Sequence, residues 1–407
     1  MRILIATRHR DVVGGVETYL QLLIPALLKR GHSIAMLYEY ATSTGETIDP
    51  PEAGLPLWFG DDLVRNRAGW REIAAWKPDI AYAHGLGSLD LEEMLLENLP
   101  TVVYAHGYPG TCGSGRKCHA FPRFEPCSRR FGPMCLVLYY PRRCGGLNPL
   151  KAWQVFQTQA CRNSRLKDYQ AILVASQHMR REFQQHVSQP SKVHTIPLPT
   201  TISRQELPPA PKTPRGRILF MGRLMDLKGA NRLVEAIPRA EKKLGSRLSL
   251  TIAGDGPERG KLQEMARRLG VVADFPGWIE GTRKLDLLRQ SDLLAVPSLW
   301  PEPFGLVGIE AGSLGVPAVG YAVGGIPDWL IPGRTGELAP GDPPTVEGLA
   351  EAIVRALVDA DHYRKLCSGA WEEAGRYTLE AHLSKLESVL VGGEHAPALC
   401  DAIGIEQ

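Results

Sequence analysis

Residues Pro297 to Ala311 hold two carboxylates, Glu302 and Glu310, separated by seven residues. Glu302 lies in a Pro-Glu-Pro-Phe-Gly loop that follows an apolar run, and Glu310 falls in the helix the next residues predict. A loop that turns into a helix leaves its first N–H groups without intrahelical partners. Those groups and the helix dipole make a seat for phosphate. A carboxylate on each side of such a seat suits hydroxyls at the two ends of a sugar diphosphate. The matching cations come from Met221-Gly222-Arg223-Leu224 and Lys228-Gly229, again between a strand pattern and a helix pattern. Arg223 offers a planar fork for phosphate oxygens and Lys228 a point charge. The plainer alternative is a solvated arginine and a lysine at a helix start, where the dipole disfavours them.

Three further places could carry chemistry. Gly14-Gly15-Val16-Glu17 follows the first strand and opens the first helix, so the backbone at Gly15 can approach an anion closely. It is not G-x-G-x-x-G, and the dinucleotide fingerprint is absent. An ordinary glycine loop is its alternative. Ala253-Gly254-Asp255-Gly256-Pro257 reads as a tight turn before a helix, with Asp255 a turn residue. His106 ends a strand pattern, as does His84; a neutral imidazole at such an edge could bond a sugar hydroxyl or carry a proton, and a structural histidine is the other reading.

Cys112, Cys118, Cys127, Cys135 and Cys144 fall within one stretch, with His119 among them. Four of these six could hold a structural zinc. The spacing lacks a C-x2-C knuckle, so free thiols, or disulfides in an oxidising compartment, remain open. Arg116, Lys117, Arg123, Arg129, Arg130, Arg142 and Arg143 surround them. They suggest a surface for an anionic acceptor or lipid headgroups, or a solvated basic loop.

The elements that must position these groups alternate between strand and helix patterns. Arg2–Thr7, Ser33–Tyr38, Asp79–His84, Thr101–His106 and Ala171–Ser176 read as short strands, with a helix over Val16–Leu28 and another from Gln177. A Pro-rich linker covers 197–216. The alternation then restarts with strands at Arg217–Met221, Leu248–Ala253, Leu293–Val296 and Val316–Gly320. Helices are expected at Lys228–Lys243, Glu258–Leu269, Phe304–Leu314 and Thr345–Asp359. This is an α/β chain of two Rossmann-like, doubly wound parallel-sheet domains facing a cleft. The first is expected over 1–200 and the second over 215–370, with helices at 361–376 and 379–391 closing the chain. Residues 107–150 break the rhythm and read as a functional loop without a period.

The chain has 407 residues and a formal net charge of +3, which gives no case for nucleic acid. No run of apolar residues is long enough to span a membrane, and the N-terminus lacks the form of a signal peptide. The expectation is a cytoplasmic protein, with room for peripheral contact at the inner face of a membrane. Oligomeric state is not legible.

Ser298–Glu310 with Ala311-Gly312-Ser313-Leu314-Gly315-Val316-Pro317 resembles the glutamate-x-seven-glutamate signature of retaining nucleotide-sugar glycosyltransferases of family 4, which have the GT-B fold. The Gly14-Gly15 loop, the Gly222-Arg223…Lys228-Gly229 turn, Gly254-Asp255-Gly256, Gly324-Gly325-Ile326-Pro327 and Gly333-Arg334-Thr335-Gly336 match that family in order. Asp328 stands where the family often has Glu, Pro197-Leu198-Pro199 where it often has Pro-Asn-Gly, and the cysteine-rich stretch is no part of the common pattern.

The resemblance implies a retaining transfer from a nucleotide-diphosphate sugar to an acceptor hydroxyl on a glycan, a lipid-linked glycan or a small molecule, as in polysaccharide or glycoconjugate synthesis. Two cations and a helix N-terminus could neutralise such a diphosphate without a metal, so catalysis is expected to require no metal or other cofactor. Glu310 would bind the ribose hydroxyls and Glu302 the transferred sugar. Phe304, Gly305 and Leu306 would offer backbone N–H groups. Gly222 would lie along the donor, Arg223 and Lys228 would take the diphosphate, Gly15 would touch it from the other domain, and His106 would sit beside the donor sugar. A final helix over about 371–391 would return to the first domain. Two other readings stay open: a nucleotide-sugar epimerase of similar fold, and a zinc-stabilised, non-catalytic binding protein.

Overall fold

The computed structural model describes residues 1–41, 45–65, 68–202, 204 and 213–392. Residues 203 and 205–212 of the Pro-rich linker and the tail beyond residue 392 lie outside the described residues. The chain divides into two compact units. One comprises Met1–Tyr104, Asp168–Leu173 and the residues from Leu379; the other comprises Ala105–Lys167 and Val174–Thr378.

The first sheet contains β1 (Arg2–His9), β2 (Ser33–Tyr40), β3 (Leu57–Phe59), β4 (Ile80–His84), β5 (Thr101–Ala105), β8 (Ala171–Val174) and β9 (Val193–Thr195), in the order β3-β2-β1-β4-β5-β8-β9. β3, β2, β1, β4 and β5 pair in parallel. Ile3, Leu4, Ile5 and Ala6 are all fully buried, as a strand covered on both faces requires. The helix Gly15–Lys29 buries Tyr19, Leu20, Leu23, Ile24 and Leu27, one stripe at helical spacing. The last helix, Leu379–Val391, belongs to this unit. His382 Nε2 lies 2.8 Å from the Tyr19 hydroxyl, which in turn lies 3.0 Å from that of Tyr82. Glu387 meets both Arg30 and His32, so packing and charge hold this helix together.

The second sheet runs β12-β11-β10-β13-β14-β15 and is parallel throughout. Its strands are β10 (Arg217–Met221), β11 (Ser249–Ala253), β12 (Val272–Gly277), β13 (Leu293–Val296), β14 (Ala318–Tyr321) and β15 (Gly336–Ala339). The helix Ala230–Leu244 lays Leu233, Val234, Ile237 and Ala240 on this core. Strand order reverses between β10 and β13. In a sheet of this kind that reversal opens a crevice at the carboxyl ends of the strands.

Residues 107–150 are not without structure. β6 (Cys118–His119) and β7 (Glu125–Pro126) pair antiparallel, and Met134–Tyr139 is helical. A 17-residue helix then runs from Pro149 to Arg165. Two-residue strands fall below what alternation can show. The long helix escaped because much of its apolar surface faces out, with Leu150 74% and Trp153 50% exposed.

The register of β10 against β13 rests on Asp292, whose side chain is 0% exposed. Its carboxylate accepts from the backbone N–H groups of Arg215 and Arg217 at 2.8 and 2.9 Å, and from the Arg217 guanidinium at 2.8 Å. Asp292→Ala leaves those N–H groups without that acceptor. We expect a loss of about 2–4 kcal/mol, read from a denaturant midpoint. An unchanged midpoint would show that the carboxylate is not what fixes this register.

Candidate active site

The crevice edge of the second unit is built by two loops that bond to each other. The single turn Asp226–Lys228 follows β10, and the segment 297–305 follows β13. The Leu227 carbonyl accepts from Leu299 N at 2.9 Å, Trp300 N at 3.1 Å and Ser298 Oγ at 3.2 Å. This approach needs a glycine at 229. Its φ is +68°, and a Cβ there would sit 1.9 Å from the Pro297 carbonyl oxygen. The outcome is an ion pair: Lys228 Nζ lies 2.5 Å from Glu302 Oε1, with the side chains 30% and 8% exposed. The ammonium also lies 5.4 Å from the centroid of the Trp300 ring.

Glu302 is held from two further directions. Gly325 N donates to its carbonyl at 2.7 Å. Gly324, at φ +61°, packs so closely that a Cβ would lie 2.4 Å from Glu302 N. On another side the Tyr108 hydroxyl donates to the Pro301 carbonyl at 2.8 Å, and Trp300 Nε1 donates to the Arg116 carbonyl at 2.7 Å. The segment that breaks the α/β rhythm therefore braces the Glu302 loop.

Glu310 lies in the helix Leu306–Ser313, which Gly305 opens with φ +89°. Its carboxylate is 4% exposed and paired with Lys284 at 2.7 Å. Thr201 Oγ1 donates to the same oxygen, Oε1, at 2.6 Å. Phe304 is buried, its carbonyl accepts from Trp329 Nε1 at 2.6 Å, and its ring meets Tyr377 edge-on at 5.3 Å. It can therefore offer a ligand only its backbone. Leu306 is the first residue of the helix, so its N–H is one of those left without an intrahelical acceptor.

The other expected residues fall in different settings. Gly222 donates its N–H to the Ala253 carbonyl at 3.0 Å, and Arg223 beside it is exposed. Asp255 acts as the turn residue its sequence suggested, accepting from Gly256 N at 2.7 Å. Gly15 begins the first helix of the other unit. His84 is 1% exposed and packed against Tyr82 and Tyr104, a structural setting. His106 stands two residues before Tyr108 and is half-buried, and burial drives its imidazole down to about 3. At neutral pH it is an uncharged hydrogen-bonding group.

The zinc reading of the cysteines is not met. Among the described residues no group of three or more His, Cys, Asp or Glu side chains is placed to hold a metal. Cys112, Cys118, Cys127, Cys135 and Cys144 are free thiols, and burial raises Cys118 to about 12 and Cys144 to about 11. Lys117 is also no surface charge, because it is 1% exposed and paired with Glu182 at 2.6 Å.

Sequence reasoning missed Lys284, Thr201 and Tyr108. Lys284 and Thr201 lie 26 and 109 positions from Glu310, and Tyr108 lies 193 from Pro301. No local pattern could have joined them.

Residues 13–204 match the family described as Glycosyltransferase Family 4, and residues 203–372 match Glycosyl transferases group 1. Together the two matches span residues 13–372, and the two parallel-sheet, Rossmann-like units have the α/β fold of GT-B glycosyltransferases. Glycogen synthase of Mycobacterium tuberculosis is 27% identical over 86% of this chain and 83% of its own. D-inositol 3-phosphate glycosyltransferase of Stackebrandtia nassauensis is 33% identical, over 39% of this chain and 38% of its own. The structure of Anabaena HepE in complex with UDP and glucose superposes with a TM-score of 0.68 at 18% identity, covering 96% of this chain and 99% of that one.

Gly324→Ala forces a Cβ onto the backbone of Glu302. We expect at least a roughly tenfold loss of turnover, with the fold kept as judged by circular dichroism. Wild-type turnover would mean that the position of Glu302 does not matter. A second expectation concerns acid. The folded-state pKa of His106 lies below the ordinary 6.5, so the unfolded chain takes up a proton that the folded chain refuses. Stability contributed by the neutral form is present above about pH 6.5 and is lost as pH falls toward 3. His178, driven to about 4 by burial, adds to the same loss. His106→Asn should shrink the acid-side fall in thermal midpoint. An equal fall in both proteins would place the imidazole in solvent.

Proposed function

We propose that this chain is a retaining glycosyltransferase that moves a sugar from a nucleotide-diphosphate sugar to an acceptor hydroxyl in glycan or glycoconjugate synthesis. The observation that carries the reading is the Lys228–Glu302 pair at the strand reversal of the second sheet, with Glu310 in the helix that follows the same loop. Glu302 takes hydroxyls of the transferred sugar. Glu310 already accepts two donors on Oε1, and its Oε2 is the oxygen for a ribose hydroxyl. Phe304, Gly305 and Leu306 present N–H groups to the donor, with Gly222 alongside, and Gly15, at the start of the first helix, is a further candidate for its diphosphate. UDP-bound complexes of proteins with this fold are consistent with such a donor.

Breaking the sugar–diphosphate bond develops negative charge on the leaving diphosphate. Arg223, Lys228 and the helix N–H groups favour that charge more than the ground state, which is catalysis by differential binding. Lys228 must exchange part of its bond to Glu302 for the phosphate, so donor binding frees the carboxylate for the sugar. His106, neutral at working pH, orients the sugar through hydrogen bonds. With two side-chain cations at the diphosphate, we expect turnover without an added divalent ion.

A thermal-shift panel of nucleotide-sugars comes first, followed by transfer assays on the donor found. Arg223→Ala and Lys228→Ala should each slow transfer by roughly 10²–10³-fold, and Glu310→Ala should weaken nucleotide binding. Wild-type behaviour in all three would sink the assignment. An epimer formed from donor alone would instead favour epimerase chemistry, and strict dependence on magnesium would contradict charge stabilisation by side chains.

A further inference from the structure

Residues 105–167 differ from the rest of the chain in charge and in surface. They contain eleven Lys and Arg against one carboxylate, Glu125, while the whole chain has a net charge of +3. The remainder is therefore net negative. Lys117 is paired internally with Glu182. Arg116, Arg123, Arg129, Arg130, Arg143 and Lys151 are exposed.

The same stretch concentrates exposed apolar side chains. Met134 is 52% exposed, Val137 65%, Leu147 81%, Leu150 74% and Trp153 50%. Met134 and Val137 lie one turn apart on the helix Met134–Tyr139, and Leu150 and Trp153 one turn apart at the start of the helix Pro149–Arg165. The two helices are neighbours: Phe131 and Phe156 have ring centroids 5.2 Å apart, and the ideal Cβ of Gly113 would meet Cys135 and Phe156 at 3.1 Å each. Phe121, also exposed, lies under the Arg143 guanidinium at 5.7 Å. The Phe121 N–H donates to the Arg142 carbonyl at 3.1 Å, and the Arg143 N–H to that of Tyr140 at 3.0 Å. Exposed apolar and basic groups are thus interleaved along this stretch, with Phe131 and Phe156, and Phe121 and Arg143, in contact.

We propose that this surface docks on an anionic lipid bilayer, with Leu147, Leu150 and Trp153 entering the headgroup boundary and the arginines meeting lipid phosphates. Burial of the apolar groups and attraction of the cations act together in such a contact. A symmetric pairing with a second copy would press two strongly positive surfaces together, which charge opposes. Among the described residues no helix is long and apolar enough to cross a membrane, and the contact proposed here is one that lies on the surface. The same segment braces the Glu302 loop through Tyr108 and Arg116, so docking would bring that loop to the lipid surface.

The test uses the full chain and sedimentation with vesicles. Equal parts phosphatidylcholine and phosphatidylglycerol should pellet the protein, and phosphatidylcholine alone should not. Raising salt from about 0.1 M to about 1 M should weaken binding, since the Debye length falls from about 10 to 3 Å. Leu150→Ser with Trp153→Ser, and separately Arg129→Glu with Arg130→Glu, should each lower affinity for the anionic vesicles roughly tenfold or more. These residues are exposed, and an unchanged response of thermal midpoint to a nucleotide-sugar confirms folding. No binding to anionic vesicles overturns the proposal, as does binding that both double variants retain. A dimer abolished by Leu150→Ser with Trp153→Ser would assign the surface to a second copy instead. None of these outcomes bears on sugar transfer, which is read separately.

Discussion

The carboxylate of Glu302 is almost fully buried, and a buried charge without a partner is costly. That constraint organises the crevice. The partner is Lys228, from a loop on a different strand, and it reaches Glu302 only because Leu227 bonds the 298–300 segment and Gly229 lets the two backbones close up. Strand order puts β10 and β13 side by side, so loops 74 residues apart in sequence meet at one edge. Glu310 shows the same solution with Lys284. Two acidic groups stand ready in a low-dielectric setting, each already neutralised.

The loop that carries Glu302 is fixed by elements outside the parallel sheet as well. Gly324 and Gly325 lie against its backbone, and Tyr108 and the Arg116 carbonyl hold Pro301 and Trp300. The aromatic contacts reinforce this, since Tyr108 meets Trp300 edge-on at 6.2 Å and His178 edge-on at 6.0 Å. A residue in a Pro-rich loop thereby gains the positional precision usually supplied by strands and helices. The Cys-rich segment contributes through its backbone and one tyrosine; its thiols do not enter.

Much of the fold was legible because its signals are local. Arg217–Met221, Leu293–Val296 and the helix at 379–391 stand where the sequence pattern put them, and the helix Leu306–Ser313 ends within a residue of expectation. β3, β9, β12 and β15 were not read: three- to six-residue strands carry too short a pattern, and the faces of β3, β9 and β12 are partly exposed as well. The two helices between β3 and β4, and those at Leu89–Asn98 and Gly281–Gln290, also escaped. The last of these supplies Lys284. At the site, the residue types were readable but not the pairings. Lys228 was legible as a cation beside a phosphate seat, and its bond to Glu302 was not. The basic cluster misled at Lys117, because sequence shows charge density without showing that Glu182 lies opposite one member.

Two groups of cations in the second unit differ in setting, and neither residue type is confined to one of them, since the Arg217 guanidinium also meets a fully buried carboxylate, that of Asp292. Lys117, Lys228 and Lys284 each meet a carboxylate that is 8% exposed or less. A compact ammonium on a flexible stem can reach into such a place and move again. Arg116, Arg123, Arg129, Arg130 and Arg143 remain at the surface, where a planar guanidinium keeps its charge at any working pH and can bond phosphate with two parallel N–H groups. Arg223 is exposed like these, but it stands at the crevice edge beside Gly222. In the function proposed above, a phosphate-bearing ligand would meet Arg223 directly and Lys228 only as that lysine loosens its hold on Glu302. Binding of the diphosphate and release of the carboxylate would then be a single exchange, and the carboxylate would become available together with the sugar it is proposed to hold.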